Sequence, residues 1–252
     1  RPGQGDVEQP AEVTGPGRDD WYLASDAGIR VARCRLLDDC HRFGHGFSTR
    51  DRGGVESAEA VLAAAGLAGR EVRMLRQVHG SRLVIPGAGY SQPEADGFLL
   101  DAGEPTPVAG IRTADCVPVL LVNPVSGHGA AIHSGWRGTA AGIVPLAVAI
   151  LAGWGARPGD FTAALGPAIG GCCYRVGPEV VRAMGGAGML AQPGPARIDL
   201  CQAIRLQLEA AGVPACRISI APWCTFCEET QYFSWRREGG TAGRMLSVLG
   251  TA

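Results

Sequence analysis

A chain of 252 residues with 46% hydrophobic and 19% charged residues can bury a substantial core and is too apolar to stay disordered. Its net charge of −1 gives no electrostatic case for nucleic acid or an anionic membrane as partner. All 23 basic residues are arginine, which excludes Schiff-base lysine chemistry, pyridoxal phosphate attachment and lysine-dependent phosphate loops.

In chain order, residues 1–20 are polar and rich in glycine and proline; they read as a flexible N-terminal tail without the apolar segment of a signal peptide. Residues 21–252 carry no linker, repeat or charge run and read as one domain. Short apolar runs predict strands near 72–78, 83–85, 97–100, 117–122, 129–133, 161–165 and 217–220. Helices are expected at 56–65, 139–151, 178–184 and 199–211. In the last, Leu200, Ile204, Leu208 and Ala211 recur at helical spacing, Asp199 stands at the N-cap and Gly212 supplies the stop. Hairpins mix with helices instead of alternating regularly, so the fold class is α+β: a single domain with mixed β-sheets layered with helices.

The uncharged stretch 138–156 is interrupted by Pro145 and several glycines, and is expected to be a buried helix rather than a membrane span. Nine cysteines, an odd number that includes the adjacent Cys172 and Cys173, point to reduced thiols and a cytoplasmic protein. Nothing in the pattern suggests a coiled coil or an interface stripe, so a monomer is expected.

The most informative stretch runs from Ile111 to His133. Two apolar runs flank Asn123-Pro124-Val125-Ser126, a turn-forming quartet. A hairpin centred there sets Val122 against Gly127 and Cys116 against His133, on one sheet face. A thiol beside an imidazole is a nucleophile with its base, a pair of metal ligands, or a packed thiol near a structural histidine. His79, ending a strand-like run before Gly80, is a candidate third ligand, although spacing alone does not bring it to the other two. Trp223-Cys224-Thr225-Phe226-Cys227 has the form of a thioredoxin redox motif, but too little chain follows for that fold, and the two cysteines read as structural. No partners for a second metal at this pair are evident. The zinc deaminase signature His-x-Glu is absent.

Several motifs, in order, resemble the YfiH family, also called the laccase-domain or multicopper polyphenol oxidase family. They are Arg76-Gln77-Val78-His79-Gly80, Ala95-Asp96-Gly97, Thr113-Ala114-Asp115-Cys116-Val117-Pro118-Val119 and Ala131-Ile132-His133-Ser134-Gly135-Trp136-Arg137-Gly138. Leu165-Gly166-Pro167-Ala168-Ile169-Gly170 with Cys172-Cys173-Tyr174, Cys224-Thr225-Phe226-Cys227-Glu228 and Phe233-Ser234-Trp235-Arg236-Arg237 extend the likeness from about residue 43 to the end. The resemblance implies an α/β/β/α-type fold and a zinc site of His79, Cys116 and His133, with an open fourth position and copper as the alternative occupant.

The resemblance also implies a phosphorylase acting on purine nucleosides (adenosine, inosine, guanosine and 5′-methylthioadenosine) with phosphate, which also deaminates adenosine. The alternatives it carries are a peptidoglycan-precursor editing hydrolase, a copper-dependent polyphenol oxidase side activity, and a catalytically weakened metal-binding regulatory domain. Five histidines in the whole chain are too few for a full multicopper oxidase. For deamination Asp115, beside Cys116, is the candidate proton shuttle. For phosphorolysis, arginines must hold the phosphate; the candidate substrate-binding residues are Arg50, Gln77, Arg137, Arg236 and Arg237. One departure stands out. The family usually has a loop carrying an asparagine and an arginine after Gly-Gly-Val, whereas here Gly53-Gly54-Val55 runs almost directly into the helix expected at 56–65. If that loop helps bind the nucleoside or phosphate, its loss implies a member that is weaker, differently selective or inactive towards the usual substrates.

Overall fold

The computed structural model describes residues 20–26, 28–87, 90–102, 107–190 and 194–251. The expected N-terminal tail lies outside the described residues, apart from Asp20. The described strands are β1 (Trp21–Asp26), β2 (Ile29–Cys34), β3 (Phe43–Ser48), β4 (Val72–Met74), β5 (Leu83–Val84), β6 (Gly97–Leu100), β7 (Val108–Thr113), β8 (Val117–Val122), β9 (Gly129–Ser134), β10 (Thr162–Leu165), β11 (Ile218–Ile220) and β12 (Met245–Thr251). The α-helices are α1 (Arg35–Asp38), α2 (Ala58–Ala64), α3 (Trp136–Ala140), α4 (Ile143–Gly153), α5 (Pro178–Ala183), α6 (Leu200–Ala210) and α7 (Trp235–Glu238).

The strands form two six-stranded sheets, ordered β1-β2-β3-β12-β7-β4 and β11-β10-β8-β9-β6-β5. Both are mixed: β4 pairs parallel with β7, β10 with β11 and β5 with β6, while the other pairings are antiparallel. Apolar side chains define four layers. Val61 and Leu62 of α2 cover one face of the first sheet with Val31, Leu246 and Val248. Phe47, Ile111 and Leu249 meet Phe98 and Leu120 between the sheets. The other face of the second sheet, with Val119, Leu121 and Ile132, packs on Val144, Val148 and Leu151 of α4 and Ile204 and Leu208 of α6. The α+β class and the helix–sheet–sheet–helix layering are therefore as expected.

This layering explains which elements the sequence displays. Strand β8 is buried throughout, alternate residues entering different cores, so it reads as one apolar run. Truncating Leu120 to alanine would cost about 2–5 kcal/mol. Strand β3, Phe43-Gly44-His45-Gly46-Phe47-Ser48, is equally buried but reads as a loop because of its glycines. They are there for packing: a Cβ on Gly44 would lie 2.6 Å from the Ala65 carbonyl oxygen, and one on Gly46 would lie 2.8 Å from Val31 Cγ1.

The helix expected at 139–151 is two helices. Gly142, at φ +72, breaks it, and the broken segment starts earlier, at Trp136. Among the described residues no helix is long and apolar enough to cross a membrane. The N-cap on α6 is as expected, the Asp199 carboxylate accepting from the Gln202 N–H at 3.0 Å.

The β8–β9 hairpin forms with a register two residues from expectation. Val122 faces Gly129 and Pro118 faces His133. The turn extends to Gly127, at φ +81, because Asn123 closes it: its side chain accepts from the N–H groups of Val125 and Ser126, and its backbone N–H donates to the His128 carbonyl. A two-residue shift preserves facing, so Cys116 stays near His133, displaced along the strand rather than opposite it.

Candidate functional site

The chain crosses from the first sheet to the second at two places, and the site forms where both crossings meet. One crossing is residues 114–116, between β7 and β8; the other lies between β4 and β5 and contains His79. Each crossing is held in a backbone conformation that non-glycine residues rarely adopt, with φ +95 at Asp115 and +60 at His79. His133 approaches from β9. The ligand atoms of His79, Cys116 and His133 lie within 4.8 Å of one another, and the two imidazoles stand nearly perpendicular, 4.8 Å apart.

Asp96, fully buried at the start of β6, fixes both histidines. Its carboxylate accepts from the backbone N–H of Val78, His79 and Gly80 at 3.3, 2.9 and 2.6 Å. It also accepts from His133 Nδ1 at 2.8 Å. A carboxylate held ionised can only accept, so Nδ1 carries a proton, and Nε2 is the ring nitrogen left for Cys116 or a metal. Burial alone would raise the Asp96 pKa, but the His133 and backbone donors hold it below the usual carboxylate range. Burial likewise opposes ionisation of Cys116 and protonation of His133, and hydrogen bonds overcome it in both. Cys116 is lowered to about 6 by His133 and His79, while His133 is raised to about 9 by Asp96 and Cys116. Gly135 leaves the thiol its room: a Cβ there would lie 2.9 Å from Cys116 Sγ.

These three side chains open on a cavity of about 620 Å³. Two nitrogens and a sulfur at this separation suit a metal that favours mixed N/S coordination and would leave a position open for a ligand. Three guanidinium-bearing residues, Arg112, Arg236 and Arg244, share the wall with the aromatic rings of Tyr174 and Trp235. The Arg236 guanidinium lies over Tyr174 at 5.3 Å and that of Arg244 over Trp235 at 5.0 Å. Thr113, also in the wall, has a buried hydroxyl without a hydrogen-bond partner among the described residues.

The structure sorts the residues singled out in the sequence. Gln77, Asp115 and Arg236 line the cavity. Both ends of the Gln77 amide are engaged by the Arg112 backbone, at 2.8 and 2.9 Å. Both carboxylate oxygens of Asp115 are taken, by the Thr225 hydroxyl and by the Arg236 N–H at the start of α7, each at 2.7 Å. Arg50, Arg137 and Arg237 are not in the cavity wall. Arg50 lies over the Phe233 ring and bonds the Glu229 carbonyl. Arg237 donates to the carbonyls of Thr225, Phe226 and Tyr232. Arg137 is exposed and stacks on its neighbour Trp136 at 4.3 Å.

Sequence reading gave no place in the site to Asp96, which bonds the segment of His79 and the ring of His133, or to Arg112 and Arg244, which stand in the cavity wall. Asp96 was visible in its motif, but nothing local links it to His133. The segment after Arg50 reaches a cavity-wall residue, since Val55 N–H donates to the Arg244 carbonyl at 3.0 Å. Gly54, at φ +65, packs so closely there that a Cβ would lie 2.3 Å from the same oxygen.

The chain is similar to known proteins along most of its length. A family model described as multi-copper polyphenol oxidoreductase laccase matches residues 40–252. The purine nucleoside phosphorylase YlmD of Geobacillus stearothermophilus is 41% identical over 170 residues, covering 63% of this chain and 60% of that protein. A purine nucleoside phosphorylase of Deinococcus radiodurans is 36% identical over 77% of this chain and 76% of its own length. Adenosine deaminase RL5, from an unknown prokaryotic organism, is 43% identical over 56% of this chain and 57% of its own length. The matched stretch thus spans less than two thirds of the first and third of these relatives. Among solved structures, YlmD of Geobacillus stearothermophilus superposes with a TM-score of 0.80 at 30% identity, covering 91% of this chain and 98% of that one. YfiH of Bacillus licheniformis superposes with 0.81 at 26%, covering 91% and 99%.

Proposed function

The chain belongs to the multi-copper polyphenol oxidoreductase laccase family, and on that premise we propose that it is a zinc-dependent purine nucleoside phosphorylase that also deaminates adenosine. The observation that carries the proposal is one cavity combining a three-donor His79–Cys116–His133 centre, three arginines and two aromatic faces. Relatives named purine nucleoside phosphorylase and adenosine deaminase support it. Zinc held by these donors would act as a Lewis acid and bring the pKa of water towards about 7.

The chain's own residues supply the rest. Arg112, Arg236 and Arg244 are the phosphate clamp, in a protein whose cations are all arginine. Tyr174 and Trp235 offer stacking surface for a purine, and the unpartnered Thr113 hydroxyl is available to hydrogen-bond a ligand. Asp115 is the only carboxylate in the described cavity wall, which supports it as the proton carrier for deamination, a role in which it exchanges one of its two hydrogen bonds for the substrate. It also anchors α7, and with it Arg236. In phosphorolysis the glycosidic C1′–N9 bond breaks, a phosphate oxygen bonds C1′, and the purine leaves with a proton. A His₂Cys donor set also accepts copper, so phenol oxidation is a side activity of copper-loaded protein.

The test is chromatography of adenosine incubated with zinc-loaded protein, with and without phosphate, beside a Cys116→Ala control. The expected result is adenine only where phosphate is present, with inosine reporting deamination, and neither product in the control. Adenosine unchanged in every arm overturns the assignment for that substrate.

A further inference from the structure

A second group of potential ligands lies apart from this centre, at two surface turns. The thiols of Cys172, Cys173, Cys224 and Cys227 all lie within 4.8 Å of one another. Cys227 Sγ is 3.8 Å from Cys172 Sγ and 3.4 Å from Cys173 Sγ. A tetrahedral tetrathiolate with metal–sulfur arms of about 2.3 Å has sulfur–sulfur edges of about 3.8 Å, whereas a disulfide brings two sulfurs to about 2.05 Å. The arrangement is one cluster of four, not two bonded pairs.

Burial does not explain the cluster. Cys172 and Cys227 are exposed, and the other two are only partly covered. The backbone holds them together. Cys173 and Tyr174 N–H both donate to the Gly170 carbonyl, and Cys227 and Glu228 N–H both donate to the Cys224 carbonyl. These two turns are joined where Thr225 N–H donates to the Ala168 carbonyl at 2.9 Å. Gly170 N–H points at Cys224 Sγ, 3.2 Å away, and the missing Cβ of Gly170 leaves the space between Cys172 and Cys224 open. The sequence left Cys224 and Cys227 without partners; the fold supplies them in Cys172 and Cys173.

We propose that Cys172, Cys173, Cys224 and Cys227 form a closed, mononuclear tetrathiolate zinc site that shares no ligand with the His79–Cys116–His133 centre. Four protein ligands leave no position for substrate, so its work is structural. Its place defines that work. Ile169 and Tyr174, on either side of the cysteine pair, line the cavity. Thr225, inside the other turn, donates to Asp115 next to Cys116. Zinc there clasps the turn between the wall residues Ile169 and Tyr174 to the turn whose Thr225 holds Asp115, and binding releases the protons of the thiols.

The test uses the intact chain, purified under reducing conditions from zinc-supplemented cells. Wild-type protein should carry about two zinc ions per chain, and the Cys116→Ser and Cys227→Ser variants about one each. X-ray absorption of Cys116→Ser protein should show zinc surrounded by sulfur alone at about 2.3 Å. That measurement stands even if Cys227→Ser fails to fold. Cobalt loaded into Cys116→Ser protein should give strong thiolate-to-metal charge transfer. A zinc content that falls to nothing in Cys116→Ser, nitrogen in the coordination shell of the ion that remains, or an intact mass showing these cysteines oxidised to disulfides would each overturn the proposal.

Discussion

The described residues gather cysteine-containing donor sets in two places that differ in ligand number, backbone support and surroundings. At the His79–Cys116–His133 centre three donors come from two inter-sheet crossings and a buried strand. The two histidines are held by the buried Asp96 carboxylate, and all three donors line a cavity. At the Cys172–Cys173–Cys224–Cys227 cluster four donors come from two surface turns tied by backbone hydrogen bonds. Residue type therefore does not set a cysteine's role; the number of neighbouring donors and what lies beyond them does. An incomplete ligand set beside a cavity suits chemistry, and a complete one at the surface suits a clasp.

The largest expected separation between the two comes from Asp96→Asn. The amide cannot serve as an ionised acceptor for His133 Nδ1 and the three N–H groups of residues 78–80, so zinc affinity of the three-donor centre should fall about 10–100-fold. The cysteine cluster should keep its metal, as read by competition with a zinc chelator in Cys116-intact and Cys116→Ser backgrounds. Equal losses at both sites would erase the distinction.

Gly135→Ala should follow with about a tenfold loss of zinc at the three-donor centre, since its Cβ would push on Cys116 Sγ. The same titration checks it, and unchanged affinity would show that the thiol can shift freely.

Arginines in and out of the cavity wall offer a smaller contrast. Arg244→Ala should raise KM for phosphate several-fold, through loss of a charge-assisted contact. Arg137→Ala, outside the wall, should change it by less than about twofold. Steady-state kinetics with varied phosphate measures both, and the reverse ranking would move the phosphate site to the α3 side.

The smallest effect is spectroscopic. Stripped of metal, Cys116 titrates near 6 and His133 near 9, so a thiolate–imidazolium pair exists between those values. It is lost below about pH 6 as the thiolate protonates, and above about pH 9 as the imidazolium gives up its proton. In ultraviolet difference spectra of wild type minus Cys116→Ser, thiolate absorbance should rise through about pH 6. A midpoint near the ordinary thiol value of about 8.5 would show that the histidines do not act on it.

How much was legible follows from how locally each feature is encoded. Strand β8 and helix α6 stand out because their burial pattern lies in consecutive residues. Strand β3 did not, because Gly44 and Gly46 are chosen for a close approach to α2 and to β2 that only the fold reveals. Facing of Cys116 and His133 survived a two-residue error in register because side chains alternate with period two, although Asn123 and Gly127 set a longer turn. The role of Asp96 was invisible because it depends on the turn at 78–80 and on β9, both remote in sequence. That Arg50, Arg137 and Arg237 stand outside the cavity wall was not legible, because a charge in a motif does not say which carbonyl or ring it will meet. The pairing of Cys172 and Cys173 with Cys224 and Cys227 depends on contacts remote in sequence, the bridge between Ala168 and Cys224 and the Gly170 N–H that meets Cys224 Sγ.

Anomalous diffraction at the zinc edge, from crystals of the intact zinc-grown protein, tests the contrast most directly. It should show one peak within the four cysteine sulfurs and another held by His79, Cys116 and His133, with the remaining position of the latter facing the cavity. A fourth protein side chain closing that position, or no peak between those three residues, would contradict it.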